Sequence, residues 1–211
     1  MDILVIHSHN ANRGDEAAVK AMVDELLIKY PGATITISNN GFTPYPGMPE
    51  NVIQIDRFPK LESRMAQLEF FIVLLFKGKF AFTKEARKFI RALKEADVVL
   101  HAPGGPSIGD TYFKAEKLYL WRLNLIRRMG IPYIFYAPSM GPFNCASRNK
   151  LRKEVISGAE RIVLRDPISV KYVKDFLPGV EVEQALDSAL QHDIDTVSYT
   201  HLRAHETGAY L

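Results

Sequence analysis

The residues best suited to chemistry lie in four turns, each following a short apolar run. The first reads His7-Ser8-His9-Asn10-Ala11-Asn12-Arg13-Gly14-Asp15-Glu16. In an open parallel sheet, ligands bind beyond the carboxyl ends of the strands. A helix starting there offers free N–H groups and the positive end of its dipole, which suits an anion. Gly14 allows close backbone approach. Asp15 also fits a helix N-cap or first-turn acid, a role compatible with catalysis.

The second turn, Ala102-Pro103-Gly104-Gly105-Pro106-Ser107-Ile108-Gly109-Asp110, places three glycines within six residues. They let backbone touch a ligand, although a double glycine also serves any tight strand exit. The third, Ala137 to Phe143, reads as a plain loop turning sharply at Gly141-Pro142. In the fourth, Asp166 as N-cap and Pro167 as first helical residue mark a helix start. Arg165 just before it is either a bidentate clamp for a carboxylate or phosphate, or half of a surface salt bridge. His7 and His9 alternate on one strand and His101 ends another. This spacing is poor for zinc and brings no third ligand, so no metal is expected. Cys145 has no partner signature for a nucleophile.

These turns need a scaffold, and the apolar pattern supplies one. Ile3–Ile6, Thr34–Ser38, Val52–Ile55, Val98–His101, Tyr133–Ala137 and Ile162–Leu164 read as strands alternating with helices, the rhythm of a parallel α/β sheet. Val19, Met22, Val23, Leu26 and Tyr30 share one face of a helix that starts near Asp15 and stops at Pro31-Gly32. Further helices are expected over about Thr83–Glu95, Lys114–Met129 and Ser147–Ser157. Residues 39–49, with three prolines and two glycines, form a loop placed to face a substrate. The apolar stretch Leu68 to Phe76 is too short for the roughly 20 residues of a membrane span and reads as a buried or surface-docking helix.

With 211 residues, 47% hydrophobic and 24% charged, the chain fits one large globular domain. A net charge of +3 is too small to argue for nucleic acid. One cysteine excludes an intrachain disulfide, and the N-terminus lacks the pattern of a signal peptide, so a cytoplasmic setting is expected. The segment after about Asp195 has neither strand nor helix period and resembles sequencing-adapter read-through. Residues 196–211 are therefore expected to be a non-native tail behind a domain spanning 1–195.

Five motifs stand in order: Asn12-Arg13-Gly14-Asp15-Glu16-Ala17, Gly104-Gly105 with Asp110, Gly141-Pro142-Phe143, Arg165-Asp166 with Ser169, and Asp187-Ser188-Ala189. In this register the chain resembles the polysaccharide pyruvyl transferase family over residues 1 to about 190. The resemblance implies a Rossmann-like domain forming the N-terminal half of a GT-B-like, two-domain architecture with a cleft between the halves. It implies phosphoenolpyruvate as donor, a sugar diol of a glycan or lipid-linked saccharide as acceptor, and a pyruvate ketal as product, with no cofactor. Pro106 departs from the family's glycine-rich turn, and no second domain follows. Leu202-Arg203-Ala204-His205 imitates a motif of that missing domain far too early in the chain, so no role is given to it.

Making a ketal from an enol phosphate requires protonation of the donor methylene, stabilisation of the resulting cationic carbon and deprotonation of the attacking hydroxyl. On this half, the resemblance assigns Arg165 to a donor anion, Asp15 to acceptor orientation or base work, and Asn12 and Gly14 to shaping the pocket. Gly104, Gly105 and Asp110 join them as substrate-binding positions. The chain alone is expected to be inactive and to self-associate through its exposed cleft face. Contact of the Leu68–Phe76 helix with a membrane carrying a lipid-linked acceptor is a further expectation, against which stands burial of the same residues in the core. Two other readings remain: a GT-B glycosyltransferase using a nucleotide sugar, and a noncatalytic sugar-binding or scaffold module.

Overall fold

A computed structural model describes residues 1–10, 12–40, 43–59 and 64–191. The proposed tail and its Arg-x-His imitation lie outside the described residues, as do two positions of the 39–49 loop. Strands β1 (Asp2–Ser8), β2 (Thr34–Asn39), β3 (Val52–Asp56), β4 (Val98–His101), β6 (Tyr133–Tyr136), β8 (Arg161–Leu164) and β9 (Glu183–Gln184) form one sheet in the order β3-β2-β1-β4-β6-β8-β9. Every pairing is parallel. The chain is thus an α/β protein with a seven-stranded parallel sheet flanked by helices, a Rossmann-like fold.

Alternation along β1 explains why both sheet faces are covered. Ile3 and Val5 join a cluster with Val19, Met22 and Val23 of α1 (Arg13–Lys29). Leu4 and Ile6 point the other way, into a cluster with Phe70 and Val73 of α2 (Arg64–Leu75), Phe89 and Leu93 of α3 (Lys84–Glu95), Leu120 and Leu123 of α4 (Phe113–Met129), and Val155 of α5 (Ala146–Ser157). A strand buried on both sides shows a continuous apolar run in place of strict alternation, and the central strand shows it.

Helix ends follow local chemistry. Asn12, not Asp15, caps α1: its side chain accepts from Gly14 N at 2.8 Å, so the helix begins at Arg13 and Asp15 becomes a first-turn acid. Asp166 caps α6 (Pro167–Phe176) by accepting from Ser169 N at 2.7 Å, with Pro167 as first helical residue. The stretch read as a plain loop from Ala137 to Phe143 contains a strand, β7 (Pro138–Met140), which pairs in parallel with β5 (Gly104–Ile108) in a separate ribbon. Gly109 shows why the two turns meet: at φ 141°, a Cβ there would lie 2.5 Å from the carbonyl oxygen of Gly141. Only a glycine permits that approach.

Candidate functional site at the strand-order reversal

The order reverses between β1 and β4, because the chain runs outward in one direction to β3 and then returns to the other side of β1. A crevice must open there beyond the carboxyl ends of both strands. It holds a cavity of about 210 Å³, lined by His7, His9, Asn12 and Asp15 from the first turn, His101 to Gly105 and Ser107 from the second, and Tyr112, Ala115 and Tyr119 from the start of α4.

The first two turns are fastened together by Asp15. Its Oδ1 accepts from Gly105 N at 3.3 Å, and a Cβ at Gly104 (φ 138°) would come within 2.8 Å of the same oxygen. Four of the sequence-derived positions, Asn12, Asp15, Gly104 and Gly105, therefore line one pocket. Gly14 is adjacent, but its N–H is already committed to the Asn12 cap.

The pocket wall is aromatic and uncharged apart from Asp15. His7 packs 4.3 Å from the ring of Tyr119 and 4.7 Å from that of His101, centroid to centroid. His9 Nε2 shares a hydrogen bond with the Tyr119 hydroxyl, and His101 Nε2 bonds Ser107 Oγ at 2.8 Å. Both ring nitrogens of His7 are buried without a partner, and its backbone sits at φ 62°. Among the described residues, His7 thus brings unpaired hydrogen-bonding capacity and a left-handed backbone to the pocket wall.

Burial lowers the pKa of all three histidines: His7 falls well below its usual value, and His101 to about 4. Desolvation also lowers His9, opposed by the Asp15 carboxylate and assisted by Arg122. Burial pushes the Tyr119 phenol up to about 12. At neutral pH the imidazoles and the phenol are uncharged donors and acceptors. Behind Tyr119, Arg122 is fully buried, donating to Phe58 O at 2.5 Å and Asn40 Oδ1 at 2.6 Å, while its Nη2 has no partner.

Arg165 and Asp110 stand apart from this pocket. Arg165 donates through Nε to Ser139 Oγ at 2.9 Å and through Nη1 to Asp187 Oδ2 at 2.6 Å, so it is in the salt bridge that competed with the clamp reading. Asp110 accepts from Arg152 Nη2 at 2.7 Å and from the backbone N–H groups of Asn144 and Cys145. Desolvation opposes its ionisation, but the Arg152 and Asn144 bonds outweigh it and hold its pKa below the usual value. Arg152 also grips the buried Glu116 at 2.7 Å, so Asp110 belongs to a structural ion cluster.

Tyr112, Ser107 and Tyr119 escaped the sequence reading, and the histidines entered it only as poor metal ligands. A signal existed: Tyr112, Ala115, Tyr119 and Arg122 recur at three- and four-residue steps, one face of a helix. Among the described residues, no three His, Cys, Asp or Glu side chains gather to hold a metal. A larger groove of about 420 Å³ beside α1 is lined by Glu25, Lys29, Arg161 and Glu183, of which Arg161 and Glu183 are bonded to each other.

A crevice at the reversal of an all-parallel sheet, bounded by a helix N-terminus and a glycine turn, is the arrangement of a Rossmann-like domain. The chain belongs to the polysaccharide pyruvyl transferase family, whose model matches residues 12–204 of its 211. No curated protein matches the chain significantly.

Proposed function

We propose that the protein transfers a pyruvyl group from phosphoenolpyruvate to two hydroxyls of a sugar in a polysaccharide or its precursor, and that the pocket between β1 and β4 receives the sugar. One observation carries the assignment of the sugar: among the described residues, the lining holds one carboxylate and no lysine or arginine. A donor bearing a phosphate and a carboxylate would meet Asp15 with no cation beside it. Uncharged hydroxyls instead find Asp15, the histidines and Ser107 as hydrogen-bond partners, and Tyr112 and Tyr119 as apolar walls.

In the overall reaction the two hydroxyls lose two protons. One reaches the donor methylene to make a methyl group and the other leaves with phosphate. Asp15 takes a proton from an attacking hydroxyl, the function of a general base. His9 and Tyr119 hold the neighbouring oxygen, and Asn12, Gly14 and the Gly104-Gly105 turn fix Asp15 in place. Arg165, partly exposed after the end of β8, contacts the donor's anionic end through its guanidinium, whose Nε and Nη1 hold Ser139 and Asp187.

The test is phosphate release from phosphoenolpyruvate, dependent on added glycan acceptor, by the whole gene product. Asp15→Asn keeps an oxygen for Gly105 N and is not at the cap, so its melting temperature should stay near wild type. Turnover should fall about 100-fold or more, the range of a lost general base. Turnover within about twofold of wild type would remove Asp15 from the chemistry.

A further inference from the structure

Helix α2 is apolar on nearly all sides, and such a helix is normally buried all round. Here only one side is: Phe70 and Val73 are inaccessible to solvent, and Phe70 stacks on Trp121 at 5.9 Å. The opposite side carries Met65, Leu68, Phe71 and Leu75 at three- and four-residue steps, all exposed, with Phe71 at 61%. The chain then turns through Phe76, Phe80 and Phe82, which are exposed as well, Phe82 at 59%.

This turn is held in place. The buried carboxylate of Glu69 accepts from Phe82 N and Thr83 N, both at 2.7 Å, and from Thr83 Oγ1 at 2.8 Å. Thr83 in turn caps α3. Phe76 and Phe80 meet edge to face at 5.0 Å. The aromatic side chains are thus presented outward on a fixed support, as a ridge and not a groove.

Charge surrounds the ridge with one sign. Residues 64–88 contain six basic side chains, Arg64, Lys77, Lys79, Lys84, Arg87 and Lys88, against Glu69 and Glu85. Glu69 is turned inward, which leaves Glu85 as the acidic group near the surface. Projecting aromatics ringed by lysines match the two layers of a membrane surface, acyl boundary beneath anionic headgroups. We propose that α2 and the 76–82 turn dock the protein onto a bilayer bearing anionic phospholipid. The inference stands independently of the reaction proposed above.

Vesicle co-sedimentation of the 211-residue chain tests it, using phosphatidylcholine alone and phosphatidylcholine with about one third phosphatidylglycerol. Wild type should bind the second and not the first, and high salt should release it. The triple variant Phe71→Ser, Phe80→Ser, Phe82→Ser should lower partitioning by roughly tenfold or more with its melting temperature retained. Lys77→Glu with Lys79→Glu, at exposed positions outside the core, should act in the same direction. A third variant, Phe80→Trp, should show a blue-shifted emission over that of Trp121 on adding the anionic vesicles, which reports insertion even if the serine variant misfolds. Absence of wild-type binding, or equal binding by a folded triple variant, overturns the proposal. It is overturned too if the phenylalanine variants abolish self-association while no vesicle binding is seen, since the face would then pair copies of the chain.

Discussion

His101 ties the pocket to pH. Burial holds its folded-state pKa at about 4, against 6.5 for a free histidine. Between those values the unfolded chain binds more protons than the folded one, so stability is full above about pH 6.5 and falls as pH drops through the window. The slope is up to about 1.4 kcal/mol per pH unit for one histidine, and His7 and His9 shift in the same direction. His101→Phe should flatten part of this loss, measured by urea midpoints at about pH 7 and about pH 4.5. Parallel loss in both proteins would show that His101 is not the group responsible. For Arg165 the expected effect is on substrate: Arg165→Lys keeps charge but cannot bond Ser139 and Asp187 while contacting a donor anion. The KM for phosphoenolpyruvate should rise about tenfold with little change in melting temperature. An unchanged KM would return Arg165 to the structural salt bridge alone.

At the scale of elements, the turn at Gly109-Asp110, helix α4 and helix α5 are joined by one ion cluster. Arg152, buried on α5, holds Glu116 of α4 through two bonds and Asp110 through a third, while Glu116 Oε1 also accepts from Gly109 N at 2.8 Å. Arg152→Met would remove two bonds from the buried Glu116 carboxylate and one from Asp110, leaving Glu116 its pair with Arg148 at 2.8 Å, at a cost of about 1–3 kcal/mol read as a shift in the urea midpoint. A loss below about 1 kcal/mol would mean the cluster is not holding these elements together. Strands β1, β2, β3, β4, β6 and β8 were legible because apolar residues recur through each between turn signals. Strands β5, β7 and β9 were not, because Gly104-Gly105-Pro106 and Pro138-Ser139 carry the composition of loops. β5 and β7 pair beside the close approach of Gly109 to Gly141, residues distant in sequence. The exposed side of α2 was equally hidden, since Phe70 and Phe71 are alike in type and only packing against Trp121 separates them.

Across the whole molecule, the site was legible where sequence neighbours and sheet topology agree. Asn12 and Asp15 at the first turn and Gly104-Gly105 at the second meet because β1 and β4 are adjacent where the strand order reverses. Arg165 was expected at the mouth of the sheet because it also follows a strand; two strands, β4 and β6, separate β8 from β1, and the Arg165 side chain bonds Ser139 and Asp187. The proposed hydroxyl-rich acceptor rests on the chain's membership in the pyruvyl transferase family and on a pocket wall whose charged group is Asp15. The most direct test is to supply the whole gene product with phosphoenolpyruvate labelled with carbon-13 at C2 and an oligosaccharide acceptor, and to follow the label by NMR. The account predicts a ketal carbon signal on the sugar growing in step with free phosphate. No ketal signal, with release of a nucleoside diphosphate when a sugar nucleotide is supplied instead, would contradict it.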